Sequence, residues 1–142
     1  MPVKLEAHLA YLLSAAERAM HRDLTEHLGA NGLNVEQWRI LSALAENPGQ
    51  PMGDLAAAVL MPHPTVTKAV DRLVDAALVY RRHDPADRRK VVVYLSERGA
   101  ELQDRGAAAA RGQQRAVQRA LGAGRAERLM QDLADLVRMM ES

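Results

Sequence analysis

Near the middle of this 142-residue chain, two groups of residues have the types and spacing to hold a polyanion. Pro64, Thr67, Lys68, Asp71 and Asp75 recur at i, i+3, i+4, i+7 and i+11, flanked by Thr65 and Arg72 and entered through His63. On a helix that spacing gathers them on one face. Threonine hydroxyls near a helix N-terminus approach base edges, and threonine methyls meet thymine methyls. Lys68 and Arg72 suit phosphate or guanine, and the positive end of the helix favours a phosphate. An ordinary solvated face has the same composition. Asp71 and Asp75 oppose a polyanion unless they pair with Lys68 and Arg72 or lie beyond the groove.

The second group is the stretch His83-Asp84-Pro85-Ala86-Asp87-Arg88-Arg89-Lys90, preceded by Arg82. Asp87 and Arg89 stand two apart at the expected start of a strand, which points both side chains the same way. A carboxylate so placed holds the guanidinium in one orientation through a charge-assisted bond. An arginine fixed at a hairpin tip, with Arg88 and Lys90 beside it, is shaped for a narrow minor groove, where negative potential is focused. Without its neighbours the same pair is a surface ion pair worth ~0–1 kcal/mol.

Other chemistries find less support. His8, His21, His27, His63 and His83 are scattered, and no two sit at i, i+4 beside a suitable carboxylate, so no metal site is expected. No Ser-His-Asp order, glycine-rich phosphate loop or paired-acid cleft stands out, so neither a catalytic residue nor a cofactor is expected. The absence of cysteine removes disulfides, thiolate nucleophiles, thiol redox sensing and cysteine-ligated zinc together. No run approaches the ~20 apolar residues that cross a bilayer. Met1-Pro2-Val3-Lys4-Leu5-Glu6 lacks the basic-then-apolar order of a secretory signal. The expectation is a cytoplasmic protein with no membrane partner.

Helices and one hairpin must position the two polyanion-suited groups. Leu5, Leu9, Leu12, Leu13, Ala16, Met20, Leu24 and Leu28 predict a first helix over about 5–28, ended by Gly29 to Gly32. Asn34 with Gln37 three residues on predicts a capping box, opening a helix that turns Trp38, Leu41, Leu44 and Ala45 inward. Asn47-Pro48-Gly49-Gln50-Pro51 breaks that helix. A short helix over about 52–60 buries Leu55, Ala56 and Val59. Another begins with Pro64 in its first turn and buries Val66, Ala69, Val70, Leu73 and Val74, ending near Ala77.

The period then changes. Leu78 to Arg82 and Val91 to Leu95 are β-branched and aromatic runs of strand length, joined by the charged loop. Ser96 caps a long helix to about Leu121. Gly122-Ala123-Gly124 breaks it, and a last helix over about 125–140 carries Leu129, Met130, Leu133, Leu136, Val137 and Met140. The expected fold is mainly α with a small β-hairpin, in the order of a winged helix-turn-helix. Charge agrees with this arrangement. From Pro62 to Arg98 eight basic residues stand against five acidic, whereas from Met1 to Met61 four stand against seven, within a net charge of only +1.

Residues 54 to 99 resemble the multiple antibiotic resistance regulator (MarR) family of bacterial repressors. The matching stretches are Asp54-Leu55-Ala56, Thr65 to Leu73, Leu78-Val79 and, above all, Asp84-Pro85-Ala86-Asp87-Arg88-Arg89-Lys90-Val91-Val92-Val93-Tyr94-Leu95-Ser96-Glu97-Arg98-Gly99. The helix order of the flanks extends the likeness to nearly the whole chain. The resemblance implies one domain over 1–142, with a DNA-binding lobe over about 34–96 and dimerisation helices over about 1–28 and 97–142. It implies a homodimer in which Arg89 is the wing arginine and Asp87 its partner. The family often has glycine where this chain has Ala77, and its peroxide sensors use a cysteine that is missing here.

The family also binds small aromatic or phenolic acids. That makes His8, Tyr11 and Trp38 candidates for lining such a pocket, with Arg18, Arg22 or Arg39 meeting a carboxylate. Trp38 serves equally as a core residue, and the arginines as interface or surface charges. Three functions follow. The first is a repressor released from a palindromic operator by a small aromatic or anionic ligand. The second is a ligand-independent or architectural DNA-binding protein, and the third an enzyme or scaffold on the same fold.

Overall fold

The change of period after Ala77 is realised as expected, with helices before it and a hairpin after it. The computed structural model describes residues 4–142. A 3-10 turn at Leu5–Ala7 precedes α1 (Leu9–Gly29), α2 (Val35–Glu46), β1 (Gln50–Pro51), α3 (Met52–Val59) and α4 (His63–Asp75). Then follow β2 (Val79–His83), β3 (Val91–Leu95), α5 (Glu97–Leu121) and α6 (Ala123–Glu141). The chain forms two compact units that meet within α5, one extending to Ala109 and the other Ala110–Ser142.

In the first unit the core is aliphatic. Leu28, Val35, Ile40, Leu41, Leu44, Leu55, Val66, Val70, Leu73 and Val93 have essentially no exposed surface. Side chains from α2, α3, α4 and β3 thus close on one another, and α1 contributes only its last turns through Leu24 and Leu28. The α2 capping box forms as read: Asn34 Oδ1 accepts from the Gln37 amide at 2.8 Å, and Gln37 Oε1 accepts from the Asn34 amide at 3.1 Å. Pro64 occupies the first turn of α4, where the missing N–H has no helical partner to lose.

Several expectations are corrected. The first helix does not run unbroken from Leu5, because i→i+3 bonds close the turn at Leu5–Ala7 and His8 is extended before α1 begins. Ala45 is exposed and Ile40 takes its place in the core, since Ile40 and Leu44 lie one turn apart on the buried face. Gln50-Pro51, read only as part of a breaker, is also a short third strand. The sheet order is β1-β3-β2, all antiparallel, with Gln50 opposite Val93 and Pro51 opposite Val92. Proline is tolerated there because β1 is an edge. The last helix begins at Ala123, so Gly122 alone makes the break, at φ +86°.

Helix α4 is bracketed by two residues in the left-handed region, Leu60 at φ +59° and Ala77 at φ +61°. Leu60 closes α3, and its successor's amide reaches back to the Ala56 carbonyl at 3.2 Å. Ala77 therefore makes its turn in a conformation that favours glycine, at a steric cost of ~1–2 kcal/mol for an L-residue. Both side chains are exposed, Leu60 to 85 %. Leu60→Gly and Ala77→Gly are each expected to stabilise the fold by ~0.5–1 kcal/mol, because relief of strain exceeds the added unfolded-state entropy. Thermal unfolding should show each midpoint rising by about 2–4 °C. A fall in either would show that the turn is not strained.

In the second unit, Ala126 is buried while Leu129, Met130, Val137, Met139 and Met140 are 43–72 % exposed. In the first unit Leu5, Leu9, Tyr11, Leu12 and Met20 are 40–63 % exposed. The stripes expected on the first and last helices are real as spacing, yet in one chain they meet largely solvent.

Candidate nucleic-acid interface

The face of α4 opposite Val66, Val70 and Leu73 carries the expected residues. His63, Pro64, Thr65, Lys68 and Arg72 are exposed. Thr67 is half-buried, and its hydroxyl donates to the His63 carbonyl at 3.0 Å, so its proton is committed to its own helix. Thr65 has no such tie. Among the described residues Lys68 and Arg72 have no carboxylate partner. Together with Asn34, Glu36, Gln37 and Thr65 they line a cavity of about 260 Å³ beside the start of α2.

Asp71 pairs neither with Lys68 nor with Arg72. Its partner is Arg81 on β2, so the carboxylate that opposed a polyanion is neutralised by the hairpin itself. This pair was not anticipated. The signal was the alternation along β2, which puts Arg81 with buried Val79 on the face toward the helices and Tyr80 with Arg82 on the other. Arg82 accordingly lies away from the loop tip. Its guanidinium is 5.1 Å from the centre of the Tyr80 ring, which stacks on Tyr94 with centroids 5.6 Å apart.

The loop between β2 and β3 is built on its aspartates. Asp84 Oδ1 accepts from the Ala86 amide at 2.9 Å, the turn expected of Asp-Pro. The Asp84 amide donates to the Lys90 carbonyl at 2.9 Å, and His83 Nδ1 lies 2.9 Å from the Arg88 carbonyl. Asp87 and Arg89 do come together, but in a turn that precedes β3 and not on the strand. Asp87 Oδ1 accepts from the Arg89 amide at 3.1 Å and from Arg89 Nε at 3.2 Å. Arg89 hydrogen bonding, side chain first and backbone second, holds the Asp87 carboxyl below the ordinary aspartate range. The Arg89 side chain is 91 % exposed. Its orientation is set while its charge remains available. Arg88 and Lys90 are exposed beside it.

The ligand candidates divide. Trp38 and Arg39 line a cavity of about 290 Å³ with Ser42, Gln50, Val59 and Leu60. His8 and Tyr11 do not line it, and lie exposed at the start of α1. Arg39 Nη2 is 3.9 Å from Glu17, a long contact. Trp38 is half-buried, and its buried indole N–H has no acceptor among the described residues. Arg18 and Arg22 border a separate surface hollow with Glu17 and His21. His21 meets Glu36 at 3.2 Å and His27 meets Asp23 at 3.7 Å, both as pairs. Among the described residues no three His, Asp or Glu side chains converge as a metal set, and no helix is long and apolar enough to cross a membrane.

Residues 31–90 match the family model described as MarR family. An uncharacterised HTH-type transcriptional regulator from Mycobacterium bovis is 33 % identical over 97 residues, which are 68 % of either chain. The chain spans about two thirds of the length of the curated relatives it matches. Among solved structures, a probable transcriptional regulator from Pseudomonas aeruginosa is 31 % identical, with a TM-score of 0.83 over 94 % of this chain and 99 % of that one. NadR in complex with 4-hydroxyphenylacetate is 28 % identical, with a TM-score of 0.80 over 96 % and 97 %.

Proposed function

This chain belongs to the MarR family, whose matched members are transcription regulators and not enzymes, and we propose that it is a repressor released from a palindromic operator by a small aromatic acid. The observation that carries the DNA-binding reading is the wing: an exposed arginine whose orientation Asp87 sets, next to a helix whose Lys68 and Arg72 have no carboxylate partner among the described residues. In this reading α4 enters the major groove, Thr65 approaches base edges, Lys68 and Arg72 hold phosphates, and Arg89 enters the adjacent minor groove. His63 and Pro64 lie at the entry of α4. Arg82, Arg88 and Lys90 add positive charge around the contact.

A palindrome requires two copies. The exposed apolar residues of α1 and α6 supply what an obligate interface needs, and a second copy is the partner proposed for them. The release step is supported by Trp38 and Arg39, which line one cavity and place an aromatic ring beside a guanidinium as a phenolic carboxylate needs, and by the 4-hydroxyphenylacetate bound to NadR. His8 and Tyr11 reach such a ligand only if a second chain contributes them.

Selection of bound duplexes from a random library tests both parts. A palindrome should be enriched with two chains bound per duplex, at least ~10³-fold tighter than random DNA at physiological salt. Phenolic acids, 4-hydroxyphenylacetate first, should then lower operator affinity while shifting the emission of Trp38, the sole tryptophan. No enrichment would overturn the operator. Emission shifts without loss of DNA affinity would separate the pocket from the switch.

A further inference from the structure

A further cleft, of about 580 Å³, lies in the first unit between the turn after α1, the turn after α4 and the first part of α5. Gly32 and Leu78 form two of its walls, and α5 contributes Arg98, Glu101, Leu102 and Arg105. Its size is that of a small-molecule site. Arg98 and Arg105 are two helical turns apart, about 10 Å along the axis, so they stand at its two ends. Glu101 is three residues from one and four from the other, the spacing at which helical ion pairs normally close. Yet among the described residues none of the three makes an ion pair or side-chain hydrogen bond. Between the two guanidinium groups, buried Leu78 and half-buried Leu102 supply an apolar strip beside exposed Glu101.

We infer that this cleft binds a linear organic dianion, an α,ω-dicarboxylate with an apolar middle. Each guanidinium takes one carboxylate, where a two-pronged charge-assisted pair is stronger than a pair with exposed Glu101. The methylene chain covers Leu78 and Leu102. Charge at the two ends keeps the dianion's carboxylates away from Glu101, which a compact anion placed at the centre would meet. The back wall is the turn from α4 into β2, where the Leu78 carbonyl accepts from the Ser96 amide at 3.1 Å. The inference does not rest on DNA binding, and its test does not use DNA.

The probe is octanedioate, followed through the amide resonances of Gly32 and Gly99 in the full chain. Saturable shifts are expected at millimolar concentration or below, with octanoate and butanedioate each at least about tenfold weaker because one end or the span is lost. Arg98→Ala and Arg105→Ala should each weaken octanedioate by about tenfold or more, and Glu101→Gln should tighten it by a few fold. All three side chains are exposed, so the variants should fold. No saturable shift, equal binding of octanoate, or no weakening in either arginine variant would each overturn the site.

Discussion

Gly99→Ala is expected to be the most damaging single methyl group that can be added to this chain. A Cβ there would lie 1.9 Å from the Leu78 carbonyl oxygen, 3.0 Å from its carbon and 3.2 Å from Leu95 Cδ2. The obstacle is backbone, so no side-chain rotation relieves it. Three hydrogen bonds meet at this point: Ser96 Oγ to the Ala77 carbonyl at 2.7 Å, the Ser96 amide to the Leu78 carbonyl at 3.1 Å, and the Gly99 amide to Ser96 Oγ at 3.0 Å. Moving α5 away loosens all three and disturbs Leu78 and Val79, which are buried. The cost should be ~3 kcal/mol or more, a large part of the ~5–15 kcal/mol that holds a domain together. Thermal unfolding should show the midpoint falling by about 10 °C. Gly112→Ala is the control, because its Cβ would meet only Arg115 Nη2 at 4.0 Å. It should stabilise α5 by ~0.5–1 kcal/mol. If both variants unfold alike, the close approach at Gly99 is not what matters.

The same junction explains what could be read in advance. Local chemistry was legible: Asn34 with Gln37, Pro64, Ser96 and Gly122 mark ends of elements through bonds within a few residues, and the structure forms them. Features that depend on distant partners were not. Gln50-Pro51 becomes a strand only because β3 lies beside it. His8 ends an early 3-10 turn that the leucine spacing alone runs through. Glycine's role at position 99 is set by Leu78, 21 residues earlier, and the sequence shows only that a glycine follows the Ser96 cap. Ala77 is similar, since its left-handed backbone follows from the packing of Leu78 and its side chain alone argues against it.

The site divides along the same line. Asp87 and Arg89 are close in sequence, so their pairing was readable, and only their position before the strand differed. Asp71 stayed ambiguous because Arg81, its partner, is reached by folding the hairpin onto α4. The stack of Tyr94, Tyr80 and Arg82 needs the register that sets Tyr80 opposite Tyr94. Trp38 was weighed as core or ligand contact, and it lies half-buried at the edge of a cavity. Gly106 leaves room for its indole, for a Cβ there would lie 2.3 Å from Cδ1, while its N–H stays unpaired.

Arg89→Ala should leave stability unchanged and weaken operator binding by about tenfold to a hundredfold, ~1–3 kcal/mol. The two effects separate because the side chain is 91 % exposed and contributes nothing to the core. Its loss also leaves Asp87 as an uncompensated negative charge near phosphates. Asp87→Asn should give a smaller loss, since Arg89 keeps its charge and gives up only its orientation. The sign with pH follows from the lowered Asp87 pKa: the ionised form is present above the ordinary aspartate range and is lost only as pH falls through the lowered value. Between about pH 8 and about pH 5, then, the difference between wild type and Asp87→Asn should stay constant. Titrations of operator DNA at several salt concentrations, with unfolding midpoints measured alongside, give both quantities. An Arg89→Ala variant with wild-type affinity would remove the wing from the interface. One that loses affinity and stability together would make Arg89 a structural residue and leave the minor-groove contact unsupported.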